Sequence, residues 1–178
     1  MKLSLRTAFA LLCLVACCMG RERPIGEIND LTSVIQSELE AHGKRVLGDD
    51  RYSWTTRLEQ IVDCRAEFTV RVVDNASEPV VHTNAVTFSL GAINPFDIGP
   101  QKSWLELPCL NHETCVATFA TCRKTSREGL VTDCATASQP RTPSFSLQLD
   151  GDRAAAARLE RALQRAVELC RAPAEAGF

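Results

Sequence analysis

The sequence contains no G-x-S-x-G, no glycine-rich phosphate loop and no H-E-x-x-H. Those absences remove the common motif-defined hydrolases, nucleotide binders and zinc proteases. Only three histidines occur in 178 residues, and His42, His82 and His112 lie in unrelated contexts, so a nucleophile has no obvious base. We therefore assign no catalytic residue, and the bland reading of each histidine is structural or solvated. Nine glycines and eight prolines are too few for a collagen-like or low-complexity chain. Charge of one sign is also missing: 20 Lys+Arg stand against 22 Asp+Glu, a net of −2, which gives nucleic acid no general reason to approach.

No apolar run is long enough to span a bilayer, which takes about 20 residues. The longest, Ala8 to Ala16, follows Lys2 and Arg6 and precedes Arg21, Glu22 and Arg23, the layout of an export signal over residues 1–20. Its Leu14-Val15-Ala16-Cys17 resembles the signal of bacterial lipoproteins, in which a small residue precedes a cysteine that is acylated. The resemblance implies lipid attachment at Cys17 and a location in the periplasm or at the outer membrane, held to the membrane by the anchor. Plain cleavage after Gly20 is the alternative. Without Lys2 and Arg6 the exported body carries a net charge of −4.

Beyond the leader, six of the nine cysteines remain: Cys64, Cys109, Cys115, Cys122, Cys134 and Cys170. An even number in an exported chain points to disulfides. Six cysteines allow fifteen pairings. Spacing favours Cys109 with Cys115 across Leu-Asn-His-Glu-Thr, Cys122 with Cys134 across a polar loop, and Cys64 with Cys170. Cys109, His112, Cys115 and Cys122 also offer four ligands of types suited to Zn²⁺, but they crowd together, leave Cys134 odd and need free thiolates after export, so no metal and no cofactor is assigned.

Residues 21–26 read as a short linker, residues 27–171 as one globular domain, and residues 172–178 as a tail. From Glu27 to His42, Ile28, Leu31, Ile35 and Leu39 recur at helical steps beside Val34, and Gly43 stops the pattern. The stretch to Thr56, with Tyr52 and Trp54, reads as a loop. Strict alternation then marks a strand from Cys64 to Val72, with others at Val86–Leu90, Leu105–Cys109, Cys115–Thr121 and Phe145–Leu149. From Arg153 to Arg171 the residues Ala155, Leu159, Ala162, Leu163, Ala166 and Cys170 form one apolar stripe, with Asp150 and Asp152 as caps. The expected fold class is α+β: a single antiparallel meander with an N-terminal helix, a C-terminal helix closing the dry face, and disulfide staples.

That order resembles the pleckstrin-homology-like layout. The segment LELPCLNHETCV followed by FSLQLDGDRAAAARLERALQRAVELC resembles an uncharacterised type of exported bacterial domain in which a cysteine-bearing hairpin precedes a closing helix. Gln60-Ile61-Val62 is similar to the inhibitory hairpin of cystatins, though Asp63 and Cys64 stand where that pattern places glycine. Three candidate contact features remain. Arg158, Arg161 and Arg165 form a basic stripe on the closing helix. The loop Gly91 to Gly99 projects Phe96 and Ile98 between turn formers. Asn75-Ala76-Ser77 is a glycosylation sequon, meaningful in a eukaryotic secretory source.

The expected function is a non-enzymatic, exported, lipid-anchored protein-binding domain of the bacterial cell envelope, of assembly or immunity type, whose partner is another envelope protein. The alternatives are a hydrolase of an envelope polymer using carboxylates among Asp49, Asp50, Asp63, Asp74, Asp97 and Asp133, a protease inhibitor of cystatin layout, or a small-ligand carrier with a cavity lined by Phe68, Val70, Phe88 and Leu107.

Overall fold

A computed structural model describes residues 25–48, 50–75, 80–101, 103–125, 131–135 and 140–171. The leader with Cys17, Asp49, residues 76–79 of the sequon loop and the tail lie outside the described residues.

The first helix, α1, runs Ile25–His42, so Ile25 and Gly26 belong to it and not to a linker. Ile28, Ile35 and Leu39 enter the core and Leu31 packs at its margin, whereas Val34 is exposed. The helix ends at Gly43, whose N–H donates to the Leu39 carbonyl and whose own carbonyl accepts from Thr56. A Cβ at this position would collide with the Leu39 oxygen and sit 2.7 Å from the Thr56 oxygen.

Strands β1 (Lys44–Leu47), β2 (Tyr52–Val62), β3 (Arg65–Asp74) and β4 (Val80–Ser89) follow as an antiparallel meander. The chain then leaves this sheet for β5 (Gly99–Pro100) and β6 (Trp104–Pro108), and returns for β7 (Ala117–Thr125) and β8 (Val131–Ala135). Strand β9 (Ser144–Gln148) and helix α2 (Arg153–Arg171) close it. The order is β1-β2-β3-β4-β7-β8 in a six-stranded sheet and β5-β6-β9 in a three-stranded one. The α+β class, the two terminal helices and the antiparallel pairing are thus as expected. The single meander is not: β5, β6 and β9 pair with each other, which lets two dry faces meet.

Their meeting point is aromatic. Phe68 of β3 and Phe88 of β4 stack with ring centroids 5.5 Å apart, and Phe145 of β9 tilts onto both at 5.1 and 5.6 Å. Leu105, Leu107 and Leu147 complete the small sheet's buried face. The stretch around Tyr52 and Trp54, expected as a loop, is the start of the longest strand. A bulge between Leu58 and Gln60 hides it from an alternation test. Leu58 and Ile61 lie three positions apart, which would put them on opposite faces of a regular strand, and the extra residue Glu59 lets both enter the core. Gln36 of α1 donates its amide to the carbonyls of Leu58 and Glu59 at 3.3 and 3.1 Å, which satisfies backbone the bulge removes from the ladder.

Helix α2 matches its expected span. Asp152 caps it, accepting from the N–H groups of Ala154 and Ala155 at 2.7 and 3.0 Å. The helix buries its stripe mainly against α1, the 90–92 turn and the small sheet. It runs antiparallel to α1, as shown by the contacts Glu27 to Arg165, Glu38 to Arg158 and His42 to Asp150.

Candidate functional site

Among the described residues two disulfides are formed, Cys64 to Cys170 and Cys109 to Cys115. The first joins the β2–β3 turn to the end of α2, and the second closes a six-residue separation before β7. Both pairings are those that spacing favoured, and they place the chain in an oxidising, extracytoplasmic compartment. Because Cys109 and Cys115 are bonded to each other, they are not thiolate ligands. Cys122 and Cys134 are register partners across β7 and β8; their side chains lie outside the described residues. Among the described residues no three His, Cys, Asp or Glu side chains group closely enough to hold a metal ion. No described helix is long and apolar enough to cross a membrane.

The arginine stripe is largely engaged within the fold. Arg158 grips Glu38 of α1 with Nε and Nη2 at 2.6 and 3.0 Å, and Arg165 bonds Glu27 of α1 at 2.7 Å and approaches Glu168 at 3.4 Å. Arg161, exposed, makes no ion pair or hydrogen bond among the described residues. Two of the three guanidinium groups therefore bind α1 to α2. Repulsion between stripe members is avoided by two acidic residues that sequence spacing alone does not bring near, since Glu27 and Glu38 lie more than a hundred residues away.

Phe96 is placed differently. Its side chain is 89% exposed, the most exposed of the large apolar residues described. The loop around it is held from both sides. Asn94 accepts the Phe96 N–H on Oδ1 at 3.2 Å and donates Nδ2 to Asp97 at 2.6 Å, an Asx turn that fixes the backbone. The Asn94 N–H in turn donates to the Pro108 carbonyl at 2.9 Å, pinning the loop to the end of β6. Pro95 and Ile98 are buried beneath it. Ile98, expected to project, is a foot of the loop and not part of its tip.

The histidines stay apart. His42 Nδ1 lies 2.9 Å from Asp150 Oδ2, linking the end of α1 to the start of α2. His82 sits on β4 between Val72 and Arg123, and His112 lies exposed in the disulfide loop. The N–H of Asp152 first, and the His42 ring after it, hold the Asp150 carboxyl below its usual range. The Asp152 carboxyl is lowered by the N–H groups of Ala155 and Ala154.

The candidate carboxylates are dispersed. Asp50 and Asp74 stand at one end of the β2–β3 hairpin and Asp63 at the other, a strand length of roughly 30 Å away. Asp74 pairs with Arg51 at 3.6 Å, and Asp97 serves the Phe96 loop. Asp49 lies outside the described residues, and Asp133 is known only as the register partner of Arg123. Ile61, central to the cystatin-like tripeptide, is buried, and exposed Gln60 bonds Glu67 at 2.7 Å beside exposed Val62. Phe68, Phe88 and Leu107 are packed core, with Val70 at its margin, so these side chains fill the space a carrier would keep open.

One groove was not foreseen. About 410 Å³ in volume, it lies at the Cys64 end of the large sheet and is lined by Asp63, Arg65, Thr87, Glu113, Cys115 and Arg141 among others. Arg65 donates Nε to the Thr87 hydroxyl at 2.8 Å on its wall. Its residues come from four separate segments, which is why no local motif announced it. No family model, no curated protein and no solved structure matches this chain.

Proposed function

We propose that this chain is a non-enzymatic protein-binding domain of the bacterial envelope, anchored through lipid at Cys17, and that it meets its partner with the Asn94–Ile98 loop. The observation that carries the reading is Phe96, an aromatic side chain held out in solvent by an Asx turn on a buried foot. An isolated exposed apolar residue needs no explanation, but here the backbone is fixed before any partner arrives. A fixed aromatic loses little freedom on binding, which is the property of an interface anchor. Two disulfides hold the scaffold beneath it.

The test is a photo-crosslinking residue at position 96 in the exported protein, followed by binding measurements with the purified captured species. Phe96→Ala should weaken that binding by roughly 30-fold or more, the effect of about 2 kcal/mol at an interface hot spot. Its thermal unfolding should match wild type. Equal affinity of Phe96→Ala and wild type would overturn the loop assignment, and turnover of an envelope polymer by the purified domain would overturn the non-enzymatic one.

A further inference from the structure

The Cys109–Cys115 loop has features that the contact-loop reading does not use. Its two sulfurs sit in unlike surroundings: Cys109 is buried, whereas Cys115 is half-buried and lines the 410 Å³ groove. Within the loop Asn111 and His112 both have left-handed backbone, φ 53° and 58°, in consecutive non-glycine residues. Such conformations persist only where surrounding structure enforces them. The Cys115 N–H points at Cys109 Sγ from 3.1 Å, so negative charge arriving on that sulfur meets a donor already in place. Neither Cys64 nor Cys170 lines this groove.

We propose that Cys115 is a site of reversible thiol exchange, taking a small zwitterionic thiol of the glutathione class into the groove. Sites for small molecules span roughly 300–1,000 Å³, and this groove falls within that range. Arg65 and Arg141 supply cations for the carboxylates of such a thiol, and Asp63 and Glu113 supply anions for its ammonium group. Exposed Arg141 has no ion pair or hydrogen bond among the described residues.

The step is a displacement. The incoming thiolate attacks Cys115 Sγ, a sulfur–sulfur bond forms to Cys115 as the Cys109–Cys115 bond breaks, and the electron pair leaves on Cys109 Sγ. One disulfide replaces another, with no net oxidation. Attack by the Cys109 thiolate on the mixed disulfide expels the small thiol and restores the loop.

The experiment treats the full exported chain, disulfides intact, with reduced glutathione or with neutral β-mercaptoethanol, quenches by alkylation and maps the peptides by mass spectrometry. Glutathione should appear on Cys115 and the alkyl group on Cys109, with Cys64–Cys170 still bonded. Arg141→Glu should slow the glutathione reaction roughly three- to tenfold and leave the β-mercaptoethanol reaction within about twofold. In the wild-type protein, added salt should slow the first reaction clearly more than the second, whose thiolate carries no carboxylates. An adduct forming first on Cys109, Cys64 or Cys170 would overturn the proposal, as would equal sensitivity of both thiols to Arg141→Glu and to salt. None of these outcomes depends on Phe96.

Discussion

Thr56 and Gly43 meet at the joint between α1 and β2, and they err in opposite directions. Thr56 is fully buried, its N–H bonds Gly43, and its hydroxyl has no partner among the described residues. A buried hydroxyl without a partner costs free energy, so Thr56→Val, nearly equal in volume, should leave unfolding free energy unchanged or raise it by up to about 1 kcal/mol in urea titration. Gly43→Ala should lower it by about 1–3 kcal/mol, because the new methyl meets two backbone oxygens that have nowhere to move. Gly43 was legible as a helix stop, but its close approach to Thr56 was not, since the partner strand itself was read as a loop. Phe96 was legible as a projecting residue. Its neighbour Ile98 was not distinguished from it, because burial beneath a loop depends on what lies below and leaves no local pattern.

Helix α2 shows how one element divides its work between faces. Leu163 is fully buried, and Leu163→Ala should cost about 2–5 kcal/mol by calorimetry, as truncations in packed cores do. Arg161→Glu should leave the unfolding midpoint unchanged. Arg158→Glu should lower it slightly, because Glu38 then faces a like charge, and added salt should shrink that difference. At the helix start, the lowered Asp150 and Asp152 carboxyls make stability depend on acid. A carboxyl whose folded pKa is depressed stabilises the fold above its unfolded value of 3.8, and that contribution disappears as pH falls through the folded value. Wild type should therefore exceed Asp152→Asn in urea midpoint near neutral pH, and the gap should close progressively below about pH 4; asparagine keeps the cap but carries no charge to titrate. The span of α2 could be read from its spacing alone because one unbroken stripe faces one core. Strands β1 and β8 could not, being short strands at the sheet's edges, and β2 could not because its bulge breaks the alternation at Leu58.

At the scale of the whole molecule, the proposed export leader and the disulfides point to the same compartment. The oxidising compartment that the Cys64–Cys170 and Cys109–Cys115 bonds require is the one to which the leader would deliver the chain. Labelled fatty acid should enter the wild-type protein and fail to enter Cys17→Ser; equal labelling of both would remove the anchor while leaving the domain untouched. The division into two sheets escaped the sequence because strand partners are chosen by which dry faces meet, and Phe145 has the same alternating context whether it extends the first sheet or starts a second. The Cys64–Cys170 bond carries a mechanical meaning as well. It closes a covalent ring around β3 to α2 and leaves α1, β1 and β2 outside, on the N-terminal side. A pull applied through the N-terminus would peel those three elements away one after another, α1 first. It would then stop at Cys64. The slack released, about 40 residues or roughly 130 Å of extended chain, is set by one bond, and the loaded domain would give way as a leash of fixed length with a ring at its end.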